Sequence, residues 1–164
     1  MSETSRLADL VMRVIDGDPW HGPNVMTLLD GVSPRAAAAH PLAGGHSIWE
    51  LVLHMTGWAD EVRARLGGAE ADEPTAGDWP EVTATSRESW ATAMAGLVES
   101  HVALAAALRA ADDRLLDTAV RDHRDRAAGT GLSHYFTLHG LVHHTTYHAG
   151  QIAMLVKAAR AAES

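Results

Sequence analysis

The chain has 164 residues, 46% of them hydrophobic and 21% charged, enough apolar material for one domain-sized core and too much for a disordered chain. Its net charge of −8 argues against nucleic acid as a partner, because phosphate neutralisation needs clustered cations. It contains no cysteine, which removes disulfides, zinc–thiolate sites, iron–sulfur clusters and any cysteine nucleophile.

A first long helix is expected over residues 4–16, where Leu7, Leu10, Val11, Val14 and Ile15 recur at helical spacing before Gly17, Asp18 and Pro19 stop it. A short helix follows Pro23, with Val25, Met26, Leu28 and Leu29 on its apolar side. Gly31, Pro34, Pro41, Gly44 and Gly45 then mark a long connection. The second long helix starts at a capping box, Ser47 to Glu50, in which the serine accepts from the N3 amide and the glutamate reaches back to the cap amide. Its stripe is Ile48, Leu51, Val52, Met55, Ala59, Val62 and Leu66, and Gly67 and Gly68 end it. The stretch after it, 69–82, reads as an acidic, solvated loop.

A third long helix starts near a second capping box, Thr85 to Glu88, with Trp90, Met94, Leu97, His101, Leu104 and Leu108 as its stripe. Asp112 and Asp113 end it, and Leu115 and Leu116 make one further turn. A charged connection, 121–131, leads to the fourth, expected over 133–159 with Leu138, Leu141, Val142, Thr145, Ala149, Ile152, Leu155 and Val156 on one face. No segment alternates like a strand. Four long amphipathic helices predict an all-α fold, a four-helix bundle with long crossover connections, as a single domain over residues 1–164. No run reaches the roughly 18 apolar residues of a membrane helix, and the N-terminus lacks the regions of a signal peptide. A cytoplasmic protein with no membrane partner is expected.

The sequence holds eleven histidines, and histidine is the commonest metal ligand. On the last helix, at 100° per residue, His148 falls about 50° and His144 about 90° from the core direction, both on the same side. His143 points nearly opposite and His139 towards solvent. Two imidazoles at i, i+4 on one face have Cβ atoms about 5–6 Å apart and can reach one ion. A third ligand has to come from a facing helix. His54, at the edge of the second helix's apolar face, and His101, inside the third helix's stripe, are the two sources. His101 reads first as a core histidine. His21, His40, His46, His123, His134, His139 and His143 read as surface. Trp49, Trp58 and Trp90 read as core or pocket wall.

The string His143 to Ile152 (HHTTYHAGQI), together with Ser47 to Trp58 (SIWELVLHMTGW), resembles the DinB/YfiT-like family of bacterial four-helix-bundle metal proteins, over essentially the whole chain. The resemblance implies a metal triad of one histidine from the second long helix and two from the last, here His54, His144 and His148. Gly150 is expected to permit close helix approach near the site. Gln151, one turn beyond it, is either a partner of a ligand or a packing residue, and packing is the favoured reading.

Three imidazoles leave an open position, the mark of a catalytic rather than a structural site. They suit one divalent ion, Zn or Ni first, with Fe, Mn or Cu also compatible. Such an ion can activate water at neutral pH or hold an incoming thiol as thiolate. The resemblance favours the second use: transfer of bacillithiol, mycothiol or glutathione to a small electrophile. The alternatives are a metal-dependent hydrolase and a non-catalytic metal-binding stress protein. No general base is identifiable; Tyr147 and Glu50 are candidates by sequence proximity only. The expected partners are a small-molecule substrate and a second copy in a homodimer, since C₂ dimers are the commonest oligomers.

Overall fold

The computed structural model describes residues 1–122 and 132–162. His123 and most of the expected charged connection lie outside them. The described elements are all helical: α1 (Glu3–Asp16), α2 (Val25–Leu29), α3 (Pro34–Ala38), α4 (Ile48–Leu66), α5 (Arg87–Ala110), a 3-10 turn (Asp113–Asp117) and α6 (His134–Ala162). The one extended pairing among them is an isolated bridge between Ala119 and Ser133.

Local chemistry places the helix starts. At α4 both halves of the capping box form: Glu50 N–H donates to Ser47 Oγ at 3.2 Å, and Ser47 N–H donates to Glu50 Oε2 at 2.6 Å. At α5 the start lies one residue later than expected. Ser86, not Thr85, is the cap, and its hydroxyl accepts from Ser89 N–H at 3.0 Å; serine is the better cap of the two. Helix α3 falls inside the expected connection. Ser33 caps it, accepting from Ala36 N–H, and Pro34 stands at its first position, where proline's missing N–H costs nothing.

The four long helices do the packing. α5 lies against α1 and α4, and α6 against α4 and α1. α5 has the length and apolarity of a membrane span, although no unbroken apolar run predicted one. It turns Trp90, Leu97, Leu104 and Leu108 into the protein interior. The apolar side chains form two clusters. One gathers Ile48, Trp49, Met55, Trp90 and Ile152; the other gathers Leu7, Val62, Leu104, Leu108 and Leu138. Each such fully buried side chain contributes about 1.5–3 kcal/mol. Between the clusters, at mid-helix, the buried residues turn polar: His54 on α4, Ser100 and His101 on α5, and Thr145 and His148 on α6. The site lies in this layer.

Candidate metal centre

His54 stands on α4 between Val52, which packs in the first cluster, and Val62, which packs in the second. His144 and His148 stand one turn apart on α6, between Leu141 and Ile152. The i, i+4 step aims both α6 rings at α4. One ligating nitrogen from each of the three lies within 4.8 Å of the others. His144 Nε2 is 2.9 Å from His54 Nε2 and 3.0 Å from His148 Nε2. His54 and His148 are buried, each 4% exposed, and His144 is half-buried.

The outward nitrogens decide what the inward ones offer. His54 Nδ1–H donates to the Asp78 carbonyl at 2.6 Å, with Asp78 Oδ1 3.3 Å away. His148 Nδ1–H donates to Gln151 Oε1 at 2.6 Å. A neutral imidazole carries one proton, so both of these Nε2 atoms present lone pairs. His144 Nε2 can hold a single proton and cannot satisfy both neighbours with a linear bond. A second proton is disfavoured as well. Burial first, then His148 and His54, push His144 down to about 4 against the pull of Asp78. Burial also lowers His148, against the Gln151 bond. Three converging nitrogens, two of them on rings whose other nitrogen is bonded to oxygen, are the donor set of a divalent cation, and the three histidines can hold one.

A family model described as the DinB superfamily matches residues 20–152. The chain belongs to the DinB superfamily. Neither the curated proteins nor the solved structures give a significant match.

Beside the triad this DinB-superfamily chain has a cavity of about 360 Å³, within the range of small-molecule sites. Trp58, Val62 and Leu141 supply its apolar walls, with His54 and His144 at one end and Arg65 among its lining. The Arg65 guanidinium lies 5.6 Å from the centre of the Trp58 ring. Its charge is met by Glu61 at 2.9 Å and its Nη2 donates to the Asp72 carbonyl, so the cavity is not built around a free cation.

Two site residues escape sequence reasoning, because they come from the stretch that reads as a solvated acidic loop. Besides fixing His54, Asp78 accepts the indole N–H of Trp58 at 2.8 Å, so one residue orients a triad ring and a cavity wall. Trp79 lies flat between two histidines, 3.9 Å from the His54 ring and 3.5 Å from that of His46. Gly57 lets the loop settle on α4, since a Cβ there would stand 3.0 Å from Pro74 Cβ. Gly77 turns the chain at φ +85°, a conformation natural to glycine. The legible signal was one tryptophan in an acidic, small-residue stretch.

Other residues depart from expectation. Trp49 is buried against Trp90, ring centres 5.0 Å apart, in the first apolar cluster and away from the cavity lining; Trp58 does line the cavity. His101 is buried outside the triad, its Nδ1–H donating to the Leu97 carbonyl at 2.8 Å. Gln151 bonds a triad ring and is not mere packing. Nothing comes within 4 Å of a Cβ built on Gly150, so no helix closes on it. Glu50 spends its carboxylate on the Ser47 amide and on His40 at 2.9 Å. Tyr147 is 64% exposed and meets the His148 ring edge-on. His134 is buried rather than superficial, its Nδ1–H donating to the Thr118 carbonyl at 3.0 Å, because the Ala119–Ser133 bridge tucks the start of α6 inward. His46 is exposed as expected and also stacks on Trp79.

Proposed function

We propose that the chain is a divalent-metal-dependent enzyme that transfers a low-molecular-weight thiol, of the bacillithiol, mycothiol or glutathione type, to a small electrophile. His54, His144 and His148 would hold the ion. The observation that carries this reading is the convergence of three Nε2 atoms while two of the rings donate their Nδ1–H outward to oxygen. When bound, an ion such as Zn or Ni supplies Lewis acidity and holds an incoming thiol as thiolate.

The chain's own residues would do the rest. Asp78 and Gln151 lock the faces of His54 and His148. Trp79 covers His54 and limits water. Trp58, Val62 and Leu141 would receive the apolar part of the electrophile beside the triad. The chain has no cysteine, so the thiol comes from solution. The same reading takes residues 1–164 as one domain, a four-helix bundle with crossover connections acting in the cytoplasm on a small molecule. The pairwise packing of the four long helices and the net charge of −8 support it.

Elemental analysis of untagged protein, followed by a screen of thiols with electrophiles, tests the proposal. About one ion per chain and thiol-dependent turnover that the triad variants lose are the expected results. Turnover without thiol would move the assignment to a hydrolase. Metal that stabilises the fold with no turnover would mark a metal-binding stress protein. No metal after incubation with Zn²⁺ or Ni²⁺ would overturn it.

A further inference from the structure

In a cavity with apolar walls, the few polar groups decide what is selected. Away from the imidazoles, Arg65, Asp78 and Thr137 supply the polar edge of the cavity beside the triad. Most of the donors there are spent. The Trp58 indole N–H goes to Asp78 Oδ1 at 2.8 Å, and the Thr137 hydroxyl donates to the Ser133 carbonyl at 3.1 Å. A carboxylate and a committed hydroxyl offer the cavity lone pairs only.

Arg65 is the exception. Its guanidinium is a rigid fork of N–H donors. Nε donates to Glu61 Oε1 and Nη2 to the Asp72 carbonyl, both at 2.9 Å. Among the described residues nothing accepts from Nη1, the corner of the fork left to the cavity. The side chains of Arg65 and Glu61 are each 11% exposed, so the fork is held in place before any ligand arrives. Its charge is already answered. Glu61 meets it on one side, and the Trp58 ring, 5.6 Å from the guanidinium carbon, on the other.

A donor whose charge is neutralised defines a ligand. An anion at Nη1 would meet the Glu61 carboxylate beside Arg65 and the Asp78 carboxylate on the cavity wall, and like charges in a partly buried site repel. A neutral oxygen would meet a charge-assisted donor without that repulsion. We infer that Arg65 selects the electrophile of the proposed reaction: a compact, largely apolar, uncharged molecule with a carbonyl or amide oxygen at the end away from its reacting centre. The inference rests on the thiol-transfer reading of the triad and names its substrate class. Arg65 stands eleven residues after His54 on α4, about 16 Å of axial rise. An acceptor docked on Nη1 therefore leaves the other end of the molecule to His54 and His144, with Trp58, Val62 and Leu141 around its body. A cavity of about 150 Å³ already holds benzene, so one of about 360 Å³ takes a substituted ring.

Three ligands of nearly one shape test this: acetophenone, which has the acceptor, ethylbenzene, which lacks it, and benzoate, which adds the charge. Each is titrated into the full chain by ligand-observed NMR, with no thiol present. Wild type is expected to bind acetophenone more tightly than benzoate once chelation has removed any ion that holds the carboxylate. Arg65→Met is expected to weaken acetophenone about tenfold, the size of one hydrogen bond to a charged donor, and to leave ethylbenzene unweakened. Glu61→Gln exposes the arginine's charge and is expected to strengthen benzoate by a similar factor. It keeps the test decisive should Arg65→Met fail to fold by circular dichroism. No binding of acetophenone by wild type, equal losses of acetophenone and ethylbenzene in Arg65→Met, a preference for benzoate that survives chelation, or benzoate binding unchanged in Glu61→Gln would each overturn the inference. The thiol-transfer reading fails separately. Acetophenone selectivity without thiol-dependent turnover would remove the reaction and leave the cavity's preference, whereas thiol-dependent turnover indifferent to Arg65→Met would remove only the inference.

Discussion

Two histidine clusters meet across the Trp79 indole. On one side His46 stacks on Trp79 and lies 3.8 Å from Glu50, which also takes His40 at 2.9 Å. On the other, His54 stacks on the same indole, gives its Nδ1–H to Asp78 and turns its Nε2 to the nitrogens of His144 and His148. The first cluster is built around a carboxylate that faces both imidazoles. In the second, three Nε2 atoms converge in a partly buried site, where burial disfavours a proton on His144 and His148 and a divalent cation suits the set. An imidazole thus becomes part of a surface cap or of a candidate metal site according to what stands opposite it.

The largest effect that could break this contrast is on metal content. His54→Ala, His144→Ala and His148→Ala are each expected to lose the ion, while Glu50→Gln and His143→Ala keep about one per chain by elemental analysis. Metal loss from Glu50→Gln would mean that the two clusters are one site.

The next effect separates them by pH. In metal-free protein His144 and the buried His101 are both held down at about 4. The unfolded chain then binds more protons than the folded one between about pH 6.5 and 4, so stability falls as pH drops through that window. For His101 burial is the leading cause, and the loss is up to roughly 3 kcal/mol at 1.36 kcal/mol per pH unit. At Glu50, burial raises the carboxyl, but the bonds from Ser47 and His40 outweigh it and leave it below the ordinary range. That contribution is present above about pH 4.5 and disappears below it. Urea midpoints against pH are expected to show the histidine slope, reduced in His101→Leu, and a separate acidic step, absent in Glu50→Gln. An unchanged slope in His101→Leu would contradict the assignment.

A smaller effect sharpens the triad side. Gln151→Leu removes the acceptor that fixes His148 and is expected to weaken metal binding about 10–100-fold, the usual cost of losing a ligand's hydrogen-bond partner. Competition against a chromogenic chelator reads it. Equal affinity would return Gln151 to a packing role. Smallest is Ser47→Ala, expected to cost about 1 kcal/mol of stability through loss of the cap, with metal affinity unchanged.

Much of this was legible before any contact was known. The capping box at Ser47 and Glu50 formed as read. The stripes of α1, α4, α5 and α6 turned inward almost residue for residue, because helical periodicity is a local property of the chain. The same arithmetic put His144 and His148 on the inward side of α6 and left His143 outside. The sequence reading favoured packing over a ligand contact for Gln151, whose rotamer is chosen by the ring it meets, and took His134, whose burial depends on the bridge that precedes it, for surface.

Sequence by itself determined the helical class, the starts of the four long helices to within a residue, and which histidines share a helical face, since those follow from bonds and steps along one chain. Helical periodicity left both His54 and His101 open as the third ligand and only the resemblance named His54; the tertiary structure brings His54 to the α6 pair. It also decided that Asp78 and Trp79 leave their loop to cover the triad, and that Glu50 is occupied elsewhere. These outcomes depend on meetings between residues far apart in the chain, such as Pro74 settling on Gly57, and periodicity carries no information about them.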